Sequence, residues 1–291
     1  MKYQKSKSRS IPLFVFSFSF LAFSLYTFAQ PPYLWRPTAG DDCISARWDP
    51  PQGFQRVSAP SNSFAEWLRG LPLLPGWGQV HLYDGSLKKD QEAHAAVLDM
   101  DIGHEDLEQC ADAVIRLRTE YLFASHRDSL ISFHFTSGDK ASWVEWKKGM
   151  RPEVHGNHVS WIASAKPDSS YPNFRRYLDV VFRYAGTLSL SKELRPVSDP
   201  SHIEVGDVFI HGGSPGHAVT VVDVAENAKG ERVFMLAQSY MPAQQIEILR
   251  SMLFPRSPWY LARSSGTLET PEWTFQYSDL KRFPQTMNDR R

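Results

Sequence analysis

The stretch from Glu204 to Tyr240, EVGDVFIHGGSPGHAVTVVDVAENAKGERVFMLAQSY, constrains the fold of this chain more than any other. Gly206-Asp207 reads as a turn, Val208–Ile210 as a short apolar strand and His211–Pro215 as a glycine-rich corner. His217 then opens a β-branched run, Ala218 to Val224, which is too apolar for an exposed strand and is expected near the centre of a sheet. Asn227–Gly230 is turn chemistry, and Val233–Ala237 returns as the partner strand, ending in Gln238, Ser239 and Tyr240. With the hairpin pivoting near Ala228, Gln238 and Ser239 fall opposite His217. One strand then offers an imidazole, and the next an amide and a hydroxyl, as a base and its orienting group are supplied.

The first residues set the compartment. Lys2, Lys5, Lys7 and Arg9 precede an almost wholly apolar run from Ile11 to Phe28, and Thr27-Phe28-Ala29 places small residues where a signal peptidase reads. A signal peptide over residues 1–29 is expected, and with it a periplasmic or secreted protein; the alternative reading of the run is an uncleaved membrane anchor. Cleavage removes four of the 32 basic residues and none of the 32 acidic ones. A mildly acidic chain without basic blocks argues against nucleic-acid binding, and no membrane span is expected after cleavage. The roughly 260 remaining residues suit one large domain with ample core. Cys43 and Cys110 are compatible with a single disulfide in an exported chain, but spacing alone does not pair them.

Along the chain, Gln30 to about Pro60 reads as an extended lead-in, and Ser63 caps a short helix with Glu66 three residues later. Val80–Tyr83 and Ala95–Ile102 suggest strands. Asp106 is expected to cap the best helix of the chain, about Leu107 to Phe123, with Leu107, Cys110, Ala111, Val114, Leu117 and Tyr121 on one face. Ile131–Thr136 and Val159–Ala163 read as strands, and Arg151–His158 as a loop. Pro172 sits in the first turn of a helix running to about Tyr184. Pro255–Tyr260 and Thr270–Phe275 read as aromatic tail segments packed across the outside. The predicted architecture is α+β, an antiparallel sheet with packed helices.

The run SYPNFRRYLDVVFRYAGTLSL, followed by IEVGDVFI and GHAVTVVDVA, resembles the core of the NlpC/P60 and CHAP cell-wall amidases, a papain-like fold. The match rests on the helix end at Tyr184-Ala185-Gly186, the Gly206-Asp207 turn and the Gly216-His217 strand start. It implies an elaboration over 30–165, an amidase-like core over about 168–262 and an aromatic tail over 263–291. It also implies a cysteine at the start of the 172–184 helix, where this chain has Ser169-Ser170-Tyr171. A tyrosine does not serve as an acyl-accepting thiolate, and a serine needs much stronger base activation. Nearly the whole mature region, with DGSLKKDQEAH, QCADAVIRLRTEYL, LAQSYMPAQ, SPWY and TPEW, resembles an uncharacterised bacterial secreted family, domain of unknown function 4846.

The expectation is therefore an amide hydrolase acting on peptidoglycan or a related peptide. His217 is the base, Gln238 orients it or binds the oxyanion, and Ser170 or Cys110 is the nucleophile. Cys110 also reads as an inert buried residue on an apolar helical face. The competing expectation is an inactive member of the fold that binds glycan or peptide. Asp99 and Asp101 alternate on one strand face as solvated residues do, and the ten histidines show no zinc-ligand spacing, so no cofactor or metal is expected. His211 reads as a loop histidine and Asp223 as a hairpin cap. Trp143, Trp146, Trp161, Trp259 and Trp273 fit either core or a glycan groove.

Overall fold

A computed structural model of the chain describes residues 1, 33–36, 42–252 and 257–284. The leader expected over residues 1–29 lies, Met1 aside, outside them. All elements below belong to the unit Pro31–Arg291.

The central strand is His217–Asn227, buried from His217 through Ala225. It pairs antiparallel with Val208–His211 on one side and Arg232–Gln238 on the other. Asn227 makes the hairpin turn: its Oδ1 accepts the amides of Lys229 and Glu231 at 2.9 and 3.0 Å, and Gly230 takes the positive φ of 80°. Arg232–Gln238 pairs in turn with Glu247–Leu249, which pairs with His94–Val97. On the other flank Val208–His211 pairs with Leu280–Arg282. Phe54–Arg56 adds to the far end of the central strand. Strands from before residue 165 and from after 263 thus lie in the same nine-stranded sheet as the central hairpin.

Alternation sorts the sheet's side chains onto two covered faces. Ala218, Val222, Met235 and Ala237 join a core with the helix Cys110–Ala124. Val219, Val221, Phe234 and Leu236 join a second core with Phe275, Tyr277 and Leu280 from the C-terminal segment. Covering both faces explains why the central strand reads as an unbroken apolar run rather than as an alternation.

The helix Cys110–Ala124 is buried on every side from Cys110 to Leu122. It is held between the sheet and the helix Tyr171–Tyr184, whose Phe174 stacks on Phe123 at 4.2 Å. It begins three residues later than the sequence suggests. Asp106 is used elsewhere, its Oδ1 accepting the Ala243 amide at 2.7 Å and the Gln109 side chain at 3.0 Å. Asp112 caps the first turn instead, through the Gln109 amide at 3.1 Å. Burying Arg116 here requires full pairing, which Glu108 and Glu120 supply at 2.7 and 2.6 Å.

Two other expectations change. The segment expected as loop at Arg151–His158 is mostly a β-hairpin, Met150–His155 paired with His158–Ala163 around Gly156. Its residues are half-exposed, so it lacks the apolar alternation that marks a strand in sequence. Val80–Tyr83 forms only the isolated bridges His81–Leu87 and Leu82–Gln244 rather than a strand. Among the described residues, no helix is long and apolar enough to cross a membrane.

Candidate active site

The hairpin brings His217 and Gln238 together at its open end. Nε2 of His217 lies 2.8 Å from Oε1 of Gln238. The Gln238 amide nitrogen is already committed, donating to Glu247 at 3.0 Å and Glu272 at 2.6 Å. Ionised carboxylates only accept, so the Gln238 carbonyl must face the imidazole, and the imidazole must donate from Nε2. Its Nδ1 is left as a lone pair, and among the described residues it makes no hydrogen bond. Lys88 offsets part of the carboxylate charge, with Nζ 2.7 Å from both Glu247 and Glu272.

Aromatic rings close around the same histidine. Tyr240, Trp273 and Phe275 have ring centroids 5.0, 5.3 and 5.7 Å from it. Only 1% of His217 is exposed. Burial drives its pKa down to about 4, the bond to Gln238 opposing and the Lys88 charge reinforcing the shift, so the ring is neutral at pH 7. The tail segment expected to pack across the outside therefore supplies one wall of this site and, through Glu272, part of its wiring.

Cys110 is the first residue of the buried helix, and that helix end abuts the start of the central strand. The thiol is in the company of the backbone amides of Ala111 and Ala218, the latter one residue past His217. Ser239 fixes this approach, its Oγ lying 2.9 Å from the Glu108 carbonyl and 2.8 Å from that of Gln244. Burial pushes the thiol up to about 11, with the Asp112 charge adding and the amides opposing. Tyr240 lies in the field of Cys110 as well as against the His217 ring. Among the described residues, the sulfur makes no hydrogen bond to the imidazole. Cys43 and Cys110 are both free thiols.

A cleft of about 520 Å³ opens onto Cys110, with Asp112, Thr187, Gly216 and Met241 in its wall. The glycine-rich corner shapes it. A Cβ on Gly216 would come within 2.4 Å of Thr187 Oγ1 and one on Gly212 within 2.2 Å of Ser191 Oγ, so the corner tolerates no side chain against the helix Thr187–Glu193.

The other candidates are placed elsewhere. Ser170 is an exposed helix N-cap, its side chain accepting the Asn173 amide at 3.4 Å and bonding Asp168. Tyr171 turns its phenol to Glu120 at 2.8 Å, within the Arg116 cluster. The helix expected to carry the nucleophile thus uses its first residues for capping and for a buried ion cluster. The helix seated on the central strand is the one that begins at Cys110. Asp223 is fully buried and bound to Arg56 and Arg69 at 2.7 and 2.6 Å, which makes it an ion-pair anchor rather than a hairpin cap. His211 lies directly across from His217, exposed and beside Trp273. Asp99 pairs with Arg36, and Asp101 with Arg116 and Arg175. No group of three or more His, Cys, Asp or Glu among the described residues is arranged to hold a metal. Trp143, Trp146 and Trp259 are core.

Sequence reasoning passed over Lys88, Glu247 and Glu272. One signal was present: Glu247 sits in the apolar run Ile246–Leu249, where an acid facing inward demands a partner.

The molecule is thus an α+β protein built on a mostly antiparallel sheet, with a buried thiol and a wired imidazole at one end of its central hairpin. The family model described as Domain of unknown function (4846) matches residues 44–282, and the chain belongs to that family. No curated protein and no solved structure matches it.

Proposed function

We propose that this protein is a thiol-dependent acyl-transfer enzyme with a papain-like core, an exported hydrolase of amide bonds in peptidoglycan or a related peptide. Cys110 is the nucleophile, His217 the base through Nδ1, and Gln238 the group that fixes the ring. The observation that carries this reading is the seating of the Cys110 helix N-terminus against Ala218, one residue from an imidazole whose tautomer Gln238 dictates. Both groups are neutral at rest, so the thiol proton passes to Nδ1 as sulfur attacks the carbonyl, rather than from a preformed ion pair. Amides of the first helical turn, which have no partner within the helix, are suited to the developing oxyanion. Contacts between nucleophile and base are often long in ligand-free sites and tighten when substrate binds. The test is release of soluble peptide fragments from purified peptidoglycan by wild type and by Cys110→Ala. Release by wild type alone supports the reading; equal release, or none where a known cell-wall amidase is active, refutes it.

A second reading is an inactive, ligand-binding member of the same fold. It is favoured by the enclosure of His217 among Tyr240, Trp273 and Phe275 without a bond to sulfur. Wild type that binds peptidoglycan and releases nothing is the outcome it expects.

A further inference from the structure

Two buried polar atoms behind the Gln238 wiring face each other, each without a hydrogen bond. Oε1 of Glu247 takes three donors, from Lys88, Gln238 and Gln244, at 2.7, 3.0 and 3.1 Å. Its Oε2 is buried with no hydrogen bond among the described residues, and so is Nδ1 of His94. These two atoms lie 3.6 Å apart. A bulge puts them there. Glu247 pairs with Val97 and Ile248 with Ala96, but Leu249 pairs with His94, so Ala95 is an extra residue in its strand. It turns His94 off the face of Ala96 and Ile248 and onto that of Glu247 and Leu249.

The other ring nitrogen of His94 lies 3.3 Å from the Gly78 carbonyl, which can only accept. In the neutral ring Nδ1 is then a lone pair turned toward a carboxylate oxygen, and one further proton satisfies both atoms. Burial, with the Lys88 charge reinforcing it, holds the His94 pKa below the ordinary value against the Gly78 and Trp77 carbonyls and Asp90. That proton therefore arrives on acidification. The other charged residues flanking this strand pair, Glu92 and Arg250, lie 3.9 Å from each other.

We propose that His94 is a positioning residue for the base: a proton on its Nδ1 closes a bond to Oε2 of Glu247, and that carboxylate passes the change through Gln238 to His217. The same proton sets a cation behind the carboxylate that supports Gln238, which disfavours the imidazolium His217 becomes when it acts as a base. His94 thus weakens the base as pH falls. This role rests on the reading of His217 as the base; the contact with Glu247 does not.

The experiment follows the ring nitrogens of His94 and the side-chain amide of Gln238 by nitrogen-15 spectra of the full chain, from about pH 8 to about pH 4.5. Wild type is expected to take up a proton at Nδ1 with a midpoint below about 6.5, the Gln238 amide moving with it. Glu247→Gln keeps an oxygen for the three donors and offers an N–H to the bare Nδ1. It should lower the midpoint by at least about one pH unit, a tenfold loss of proton affinity. His94→Asn keeps a side-chain N–H near the place of Nδ1 but does not titrate, so its Gln238 curve should be flatter than that of wild type. Glu272, whose carboxyl burial raises, is common to both curves. The inference is overturned if Nδ1 stays bare throughout in wild type, if Glu247→Gln leaves the midpoint unchanged, or if the Gln238 curves of wild type and His94→Asn superimpose. The linked titration in a protein that transfers no acyl group would uphold the contact and count against the hydrolase reading; acyl transfer without the linked titration would do the reverse.

Discussion

Gln238 presents its carbonyl, not its nitrogen, to His217, because Glu247 and Glu272 hold that nitrogen from the other side. A glutamine alone leaves its two ends interchangeable; two carboxylates backed by Lys88 do not. The orientation carries through to the histidine, which must bear its proton on Nε2. Nitrogen-15 spectra of the histidine side chains at pH 7 should show His217 neutral with Nε2 protonated. A charged ring, or one protonated on Nδ1, would remove the base from the proposed chemistry.

The same burial makes His217 a source of acid sensitivity. Its folded pKa of about 4 lies below the ordinary histidine value, so the unfolded chain binds a proton here that the folded one refuses. Stability from this residue is intact above about pH 6.5 and declines as pH falls to about 4, by on the order of 3 kcal/mol. Melting temperatures of wild type and His217→Gln, compared between pH 7 and pH 4, should show the wild type losing more. A parallel pair of curves would contradict the assigned environment.

Cys110 should label slowly near neutrality. With its thiol pushed up to about 11, only about one molecule in ten thousand carries thiolate at pH 7. Iodoacetamide labelling followed by mass spectrometry should accelerate steadily as pH rises toward 10. Rapid labelling at pH 7 that His217→Ala suppresses would show a resting ion pair instead.

Asp223 should govern stability and not reactivity. It is fully buried between Arg56 and Arg69, and its replacement strands two guanidinium groups. Asp223→Asn is expected to cost about 3–5 kcal/mol, the range for breaking a buried pair. Denaturant unfolding measures this directly. A cost below about 1 kcal/mol would mean the pairing is solvated.

The central hairpin was legible because its β-branched run and the turn from Asn227 to Gly230 are local signals, and the His217–Gln238 pairing follows from alternation across one turn. The Cys110 helix was legible as a helix but not as the one seated on the sheet. Asp112, Arg116, Arg118 and Glu120 make it look half-solvated, whereas Arg116 is buried between Glu108 and Glu120, and Glu120 also takes the phenol of Tyr171 from 51 residues away, a contact that spacing does not reveal. The resemblance to the amidase core, with its Tyr184-Ala185-Gly186 helix end, points instead to the start of the 172–184 helix, at Ser170. Trp273 and Glu272 reach His217 and Gln238 across more than thirty residues of chain, a distance over which sequence carries no register.

The central claim is that Cys110 accepts an acyl group with His217 as its base. Intact-protein mass spectrometry after incubation with 4-nitrophenyl acetate tests it without knowledge of the natural substrate. The account predicts one acetyl group, mapped to Cys110, absent in Cys110→Ala and formed roughly a hundredfold more slowly in a folded His217→Gln. Acetylation that spares Cys110, or that proceeds at the wild-type rate in His217→Gln, would contradict it.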